Sequence, residues 1–345
     1  MEHTTIAVDL AKSVFQVAVS SYPGRVDAEC RLSRARVGPY FAKRPPAIVV
    51  LEACGSAHYW GRELQRLGHT VRLLPPHHVR RYVPRNKTDR TDAKALLEAH
   101  RNEDIKPVPI KSVEQQAIAS LHRLRARWLA TRTARLNTVR GLLREFGITI
   151  PVGAQHVGPH VHALSPSADP TSPVPPMVHR MLADAMAEIA GIEGYMATVD
   201  QQLRTLATHL PDATLLQSIP GIGPLTATAL VALIGDINRF AASRAFASYL
   251  GLTPKEDSSA YRRRLGAISK QGDAYLRMLL LHGARSLLWH AKRKAQPTGF
   301  QHWALRTQAH RGHNIAAVAV ANKLARIVWA VWTQRRPFQD WPADR

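Results

Sequence analysis

Thr5-Ile6-Ala7-Val8-Asp9-Leu10-Ala11-Lys12-Ser13-Val14-Phe15-Gln16-Val17-Ala18-Val19 is the stretch whose reading decides the fold. Two β-like runs flank a short polar break, the pattern of a hairpin taken from a buried sheet. One carboxylate, Asp9, stands inside the first run. A charge in such a place is costly to bury unless it is paired or holds a cation. The rest of the chain must therefore supply its partners.

Outward from the hairpin, residues 1 to 108 read as α/β. Ala47-Ile48-Val49-Val50-Leu51-Glu52-Ala53 is a continuous apolar run of the kind found in central parallel strands, and it ends on Glu52. A helix follows over 57–67, closed by Gly68, with Tyr59, Leu64 and Leu67 apolar. Thr70-Val71-Arg72-Leu73-Leu74 is the next strand, stopped by Pro75-Pro76. A basic stretch comes next: His77, His78, Arg80, Arg81, Arg85 and Lys87. Thr88-Asp89-Arg90-Thr91-Asp92-Ala93 reads as a capped helix start.

From 112 to 146 the spacing predicts one long helix, with Leu121, Leu124, Trp128, Leu136, Val139, Leu142 and Phe146 recurring every three or four residues. Arg123, Arg125, Arg127, Arg132, Arg135, Arg140 and Arg144 decorate it as a phosphate surface or as a solvated face. Residues 151–176 are rich in Pro, His, Ser and Gly and read as a linker or mobile loop. A second long helix spans 177–210 and could pair with the first as an antiparallel coiled-coil arm. From 214 to 335 the chain is helical with one special loop. Ile219-Pro220-Gly221-Ile222-Gly223-Pro224 joins two helices, and its glycines Gly221 and Gly223 free backbone N–H groups at a helix N-terminus, a phosphate grip that reads no sequence, or else a plain helix-joining turn. The apolar stretch near 315–332 is broken by Asn322, Lys323 and Arg326 and reads as a buried amphipathic helix rather than a membrane span.

Charge narrows the class of partner. Across 345 residues, 47 Lys and Arg face 25 Asp and Glu, a net charge of +22, which favours a polyanion and above all nucleic acid. No polybasic amphipathic anchor or lipidation signal speaks for a membrane. Two cysteines, Cys30 and Cys54, make neither a disulfide framework nor a zinc pattern, and with no signal peptide the expectation is a cytoplasmic protein.

Two constellations carry chemistry. Asp9 and Glu52 end or interrupt strands, while Asp89 and Asp92 share a helix face. Crowded carboxylates repel, and hard divalent cations such as Mg²⁺ relieve that. Two such ions about 4 Å apart hold a scissile phosphate. Asp89 and Asp92 alone could equally cap their helix and pair with Arg85, Lys87 or Arg90. The second constellation is Leu250-Gly251-Leu252-Thr253-Pro254-Lys255-Glu256-Asp257-Ser258-Ser259-Ala260-Tyr261-Arg262-Arg263-Arg264, continued by Lys270 and Arg277. Cations beside a serine hydroxyl lower its pKa and hold a phosphate, though spacing alone equally describes a solvated basic loop.

The pattern resembles the DEDD transposases of the insertion sequence 110/1111 family, relatives of the Piv DNA invertases. The resemblance rests on Val8-Asp9-Leu10-Ala11-Lys12, Leu51-Glu52-Ala53-Cys54-Gly55, Lys87-Thr88-Asp89-Arg90-Thr91-Asp92-Ala93, Pro220-Gly221-Ile222-Gly223, Leu250-Gly251-Leu252-Thr253-Pro254, the run from Arg264 to Asp273 and Ala321-Asn322-Lys323-Leu324-Ala325-Arg326, in family order over nearly the whole chain.

The resemblance implies a RuvC-like, RNase H-type domain over 1–108 whose metal-binding carboxylates are Asp9, Glu52, Asp89 and Asp92, with Mg²⁺ as cofactor. It implies a helical transposase domain, which falls over 213–345 with the helix–hairpin–helix-like turn read above, and the two long helices set the coiled-coil arm over 109–212. That domain would carry the nucleophile, Ser259 by motif, with Ser258 as runner-up. The family places glycines after the serine pair, where this chain has Ala260-Tyr261. Implied partners are donor and target DNA, a bridge guide RNA, and further copies of the chain as a dimer or tetramer. Arg80, Arg81, Arg85, Lys87, Gly221, Gly223, Arg262, Arg263, Arg264 and Lys270 are the expected nucleic-acid contacts. The rival readings are a metal-only RuvC-type junction nuclease and a non-catalytic nucleic-acid-binding protein.

Overall fold

A computed structural model describes residues 4–83, 89–164 and 171–341, with backbone alone at 89 and 90. The chain forms two compact units, residues 1–116 with 234–236, and 117–233 with 237–345.

In the first unit, β1 (Thr5–Asp9) and β2 (Val14–Ser20) form the expected hairpin, with Ile6 opposite Val19 and Asp9 opposite Gln16. β3 (Ala28–Ser33) adds to it antiparallel, a strand that sequence reading did not mark. Helix α1 (Arg34–Ala42) leads to β4 (Ile48–Glu52), which lies parallel to β1. Helix α2 (Ala57–Arg66) returns the chain to β5 (Thr70–Leu74), parallel to β4. The short α3 (Pro76–Val79) and then α4 (Asp89–Arg101) complete the unit. The strand order is β3-β2-β1-β4-β5.

Strand periodicity of two sorts this sheet into two faces. Ile6, Val8, Phe15, Val17, Val49 and Leu51 point to one side, where Val37 and Phe41 of α1 and Trp60 and Leu64 of α2 cover them. Phe15 meets Trp60 edge to face at 5.3 Å. Phe15 is fully buried, so Phe15→Ala would cost roughly 3–5 kcal/mol. Ala7, Ala18, Val50 and Leu74 point to the other side, against Ala93, Leu96, Leu97 and Ala99 of α4. Alanines on both partners let α4 lie close against the strands.

In the second unit, α5 (Val113–Arg144) and α7 (Pro176–His209) run antiparallel. Arg125 pairs with Asp200, Trp128 stacks on Tyr195 at 5.4 Å, Arg132 pairs with Glu193 and Arg135 with Glu188. Ile118, Ala119, Val199 and Leu203 fill one end of the seam, and Leu136, Val139, Leu143, Leu182 and Ile189 the other. These ion pairs correct the reading of α5 as one phosphate surface. Arg125, Arg132 and Arg135 spend their charge on carboxylates of α7, and Arg140 donates to the Pro151 and Gly153 carbonyls.

The stretch 151–176 is also more than a linker. It contains a 3₁₀ turn and α6 (Val157–Ala163), and Val157 and Val174 are buried with Leu143 and Leu182 at the end of the helix pair. The spacing missed this because the helix is only seven residues long and carries two turn formers, Gly158 and Pro159.

The chain continues through α8 (Pro211–Leu216), α9 (Pro224–Ile234) and α10 (Ser243–Tyr249). The segment expected to be a loop in a helical domain is instead a hairpin, β6 (Pro254–Glu256) with β7 (Leu265–Ile268). Helices α11 (Ala274–Ala291), α12 (Gly299–Arg311) and α13 (His313–Gln334) follow. Among the described residues α13 alone is long and apolar enough to cross a bilayer. Its Ala316, Val320, Leu324, Val328 and Trp332 are buried, and it packs on α8, α10, α11 and α12, the position of a core helix.

Candidate active site

Asp9 is the last residue of β1 and Glu52 the last of β4. Val8 is in register with Leu51, so the two carboxylates follow one step later on adjacent parallel strands, whose spacing is about 4.8 Å. Parity sets their direction. Val8 and Leu51 face α1 and α2, so Asp9 and Glu52 belong to the α4 side.

Helix α4 points its first turn toward the same end of the sheet. At its C-terminal end Arg101 donates to the Ser20 hydroxyl at 3.5 Å and the Tyr22 carbonyl at 3.4 Å, and Ser20 pairs with Thr5 at the start of β1. The helix therefore runs back along β1, and its thirteen residues span about 20 Å, longer than the strand. Its N-terminal turn, carrying Asp92, lies toward the Asp9 end. The Asp89 side chain is outside the described residues, as are Arg85 and Lys87. Among the described residues no three His, Cys, Asp or Glu side chains gather at ligating distance: the structure sets Asp9 and Glu52 at adjacent strand ends and Asp92 in the first turn of α4, without a closed cluster of ligands.

The two carboxylates share one electrostatic neighbour. Burial pushes the Cys54 thiol up, and the charges of Glu52 and then Asp9 push it further, so both carboxylates act on one sulfur. Cys54 is a neighbour that sequence reading did not single out; its only signal is that it sits two residues after Glu52. Gln16, buried opposite Asp9, is another. Gln16, Glu29, Cys30, Arg31 and Lys94 line an open groove of about 650 Å³ over β2 and β3, which neither Asp9 nor Glu52 lines. The donor set of adjacent carboxylate oxygens suits a hard divalent cation.

The serines sit at the tip of the β6–β7 hairpin, in the second unit. Ser259 and Arg262 exchange backbone hydrogen bonds of 3.2 and 2.9 Å, closing a two-residue turn on Ala260 and Tyr261. Such turns need positive φ, and Ala260 adopts +46°. A glycine would carry that angle without a Cβ clash, so the alanine stores strain of roughly 1 kcal/mol. The two hydroxyls differ. Ser258 donates to Glu256 Oε1 at 2.9 Å and accepts from the Arg264 N–H at 3.1 Å, whereas no described side chain bonds the Ser259 hydroxyl. Glu256 is held in turn by Arg263 Nε at 3.2 Å. Arg262 and Arg264 are exposed beside the serines, and Lys270 is exposed at the root of the hairpin, where its N–H bonds Gly251 C=O.

The two remaining groups of expected contacts differ in setting. Arg80 and Arg81 are exposed beyond β5, after the tilted ring pair of His77 and His78, whose centroids are 4.1 Å apart. Gly223 is exposed at the start of α9 with open space above its backbone, while Gly221 packs against the protein interior.

A strand-end carboxylate pair on a mixed sheet, together with a strongly basic helical unit that presents serines among arginines, is the equipment of an enzyme that breaks and rejoins DNA strands. Family profiles agree with this class: a DEDD transposase profile matches residues 6–148, and the Transposase IS116/IS110/IS902 family profile matches residues 213–298. The chain belongs to the IS116/IS110/IS902 family of transposases. It is 40 % identical to a probable family 20 transposase of Pseudomonas aeruginosa over 98 % of this chain and 99 % of that one. It is 36 % identical to the transposase for insertion sequence element IS1111A of Coxiella burnetii, covering 97 % and 91 %. Over 41 % of the chain it is 31 % identical to the pilin gene-inverting protein of Moraxella lacunata, covering 44 % of that protein.

Proposed function

We propose that the first unit is a RuvC-like, RNase H-type nuclease domain and that Asp9, Glu52, Asp89 and Asp92 are its metal-binding carboxylates. The sheet order, with an antiparallel hairpin of β2 and β3 beside the parallel β1-β4-β5, supports the fold. The observation that carries the site is the pairing of Asp9 with Glu52 at neighbouring strand ends under the first turn of α4. Bound Mg²⁺ would supply charge to polarise a scissile phosphate and to stabilise the leaving oxygen.

The nucleophile in this reading is Ser259, with Ser258 as the alternative. Its oxygen attacks phosphorus, the hydroxyl proton passes to solvent or a neighbouring base, and the phosphorus–O3′ bond breaks. The products are a phosphoserine ester and a free 3′-hydroxyl, which takes up the proton. Reversal on a second strand end restores the phosphodiester and the serine without net hydrolysis. Arg262, Arg263, Arg264 and Lys270 hold the phosphate backbone, as do Arg80, Arg81, Arg85, Lys87 and the amides at Gly221 and Gly223. The guide is a bridge RNA paired with donor and target DNA. The working particle is a dimer or tetramer in which carboxylates of one subunit face the serine of another.

The test compares Ser259→Ala with Ser258→Ala for strand exchange and for a covalent protein–DNA adduct. Loss of both in Ser259→Ala, with Ser258→Ala retaining them, is the expected result. Full recombination by both variants would sink the serine mechanism and leave the metal-only nuclease. RNA that co-purifies with the chain should derive from DNA flanking its gene; bulk cellular RNA alone would remove the guide.

A further inference from the structure

We propose that Arg277, on α11, is a positioning residue that fixes the direction of the serine hairpin; this rests on the reading of that hairpin as the carrier of the nucleophile. From Pro254 to Ala267 every residue of the hairpin is exposed, so no packing against the helices sets its direction. Its internal ties, such as Asp257 N–H to Arg264 C=O at 3.0 Å, hold strand to strand but not hairpin to protein. That task falls to its root.

The root is a crossing of two backbone limbs. Lys270 N–H donates to Gly251 C=O at 3.1 Å, and Ser269 N–H to Thr253 C=O at 2.8 Å. The limbs touch so closely that a Cβ on Gly251 would lie 2.2 Å from the Gln271 carbonyl oxygen, and one on Gly272 1.9 Å from that of Tyr249. Both glycines have positive φ, +68° and +78°. Arg277 Nη1 donates to the Leu250 carbonyl of the entering limb at 2.9 Å and to the Gln271 carbonyl of the leaving limb at 3.0 Å. One permanently charged group thus bridges two carbonyl oxygens that no strand ladder uses. Its own place is fixed because Asp273 caps α11, accepting from Leu276 N–H at 2.9 Å one turn earlier. From α13, Asn322 Nδ2 adds a bond to the Leu252 carbonyl at 3.0 Å.

Leverage makes this clamp matter to the chemistry. Ser259 lies six residue steps beyond Thr253, a reach of about 20 Å in extended chain. A swing of about 10° at the root therefore moves the serine by roughly 3 Å, and a misplacement of 1 Å is enough to cost about 100-fold in rate.

The experiment uses the full chain with a duplex carrying its own element ends. Arg277→Met should form the covalent adduct at least tenfold more slowly at saturating DNA, with DNA affinity within twofold of the parent. Trypsin should cut faster after Arg262, Arg263 and Arg264, which report hairpin freedom directly. Arg277→Lys should recover part of the rate, as should added guanidinium with Arg277→Ala. Asn322→Leu, which removes one tie only, should slow the adduct to a smaller degree and serves if Arg277→Met does not fold. An unchanged adduct rate in Arg277→Met overturns the inference. So does joint loss of DNA affinity and thermal midpoint in both Arg277→Met and Arg277→Lys with Asn322→Leu unaltered, which marks a purely structural arginine. If both serine-to-alanine variants keep the adduct, the serine reading itself has failed; if Ser259→Ala loses it while Arg277→Met does not, only this inference has.

Discussion

Gly221 and Gly283 pack backbone to backbone: a Cβ on Gly221 would stand 2.9 Å from the Gly283 carbonyl oxygen, and one on Gly283 would stand 2.2 Å from that of Gly221. Gly221 also has φ of +91°. The first glycine of the turn is thus needed for the contact between the α8–α9 corner and α11, whatever else it does. Gly223, two residues on, has nothing within reach of a Cβ and ordinary φ. The two substitutions should therefore separate stability from binding. Gly221→Ala should lower stability by about 1–3 kcal/mol. Gly223→Ala should leave the melting temperature within a degree or two and weaken binding to any DNA duplex, equally for all sequences. Calorimetry beside binding isotherms at fixed salt checks both.

Asp9 and Glu52 stand on adjacent strand ends as a like-charge pair, and the proposed reading has them hold a cation. Asp9→Asn should reduce strand cleavage at least 100-fold, a loss of the size seen when a transition-state charge contact is removed, while duplex binding persists. Mg²⁺ at ten times its dissociation constant should stabilise the parent by about 1.4 kcal/mol, and this gain should vanish in Asp9→Asn. Thermal shift with and without chelator measures it; an unaltered Mg²⁺ response in the variant would refute the assignment of Asp9.

His122 is 1 % exposed in the seam between the long helices and the α9–α11 layer, with one ring nitrogen at 3.0 Å from the Tyr275 hydroxyl and the other at 3.0 Å from the Thr228 hydroxyl. Burial holds its pKa down at about 4, Arg125 adds to the depression, and Asp200 opposes it. The folded protein refuses a proton that the unfolded chain accepts near pH 6.5. Stability should fall as pH drops below 6.5 and level off near 4, by about 3 kcal/mol from this group. His122→Gln should flatten that slope in denaturation measured from pH 7 to 4. His58, also held down to about 4 by burial and by Lys111 and Arg62, will keep part of it.

Much of this was legible in the sequence because the signals are local. Strand alternation and the carboxylate in its midst gave β1 and β2, and the continuous apolar run gave β4. Apolar recurrence gave both long helices to within two residues of their ends, since such periods persist over 32 and 34 residues. The weak signals had two causes: β3 buries only Leu32 and so shows no apolar alternation, while α6 and the three-residue β6 are too short for a period to rise above composition. The arginines of α5 misled for another reason. Their charge is local, but the carboxylates that neutralise Arg125, Arg132 and Arg135 lie 53 to 75 residues away on α7.

By itself, then, the sequence determined the alternating strands, the helices, the basic charge and the residue types able to bind metal and phosphate, because each depends on neighbours along the chain. Tertiary structure alone decided which carboxylates stand together, since the Asp9–Glu52 pairing follows from strand register across 43 residues. It alone decided that the serines ride an exposed hairpin whose direction hangs on Arg277 and a two-glycine crossing. Register, face and close approach arise only when distant segments share one core, and no local pattern records them.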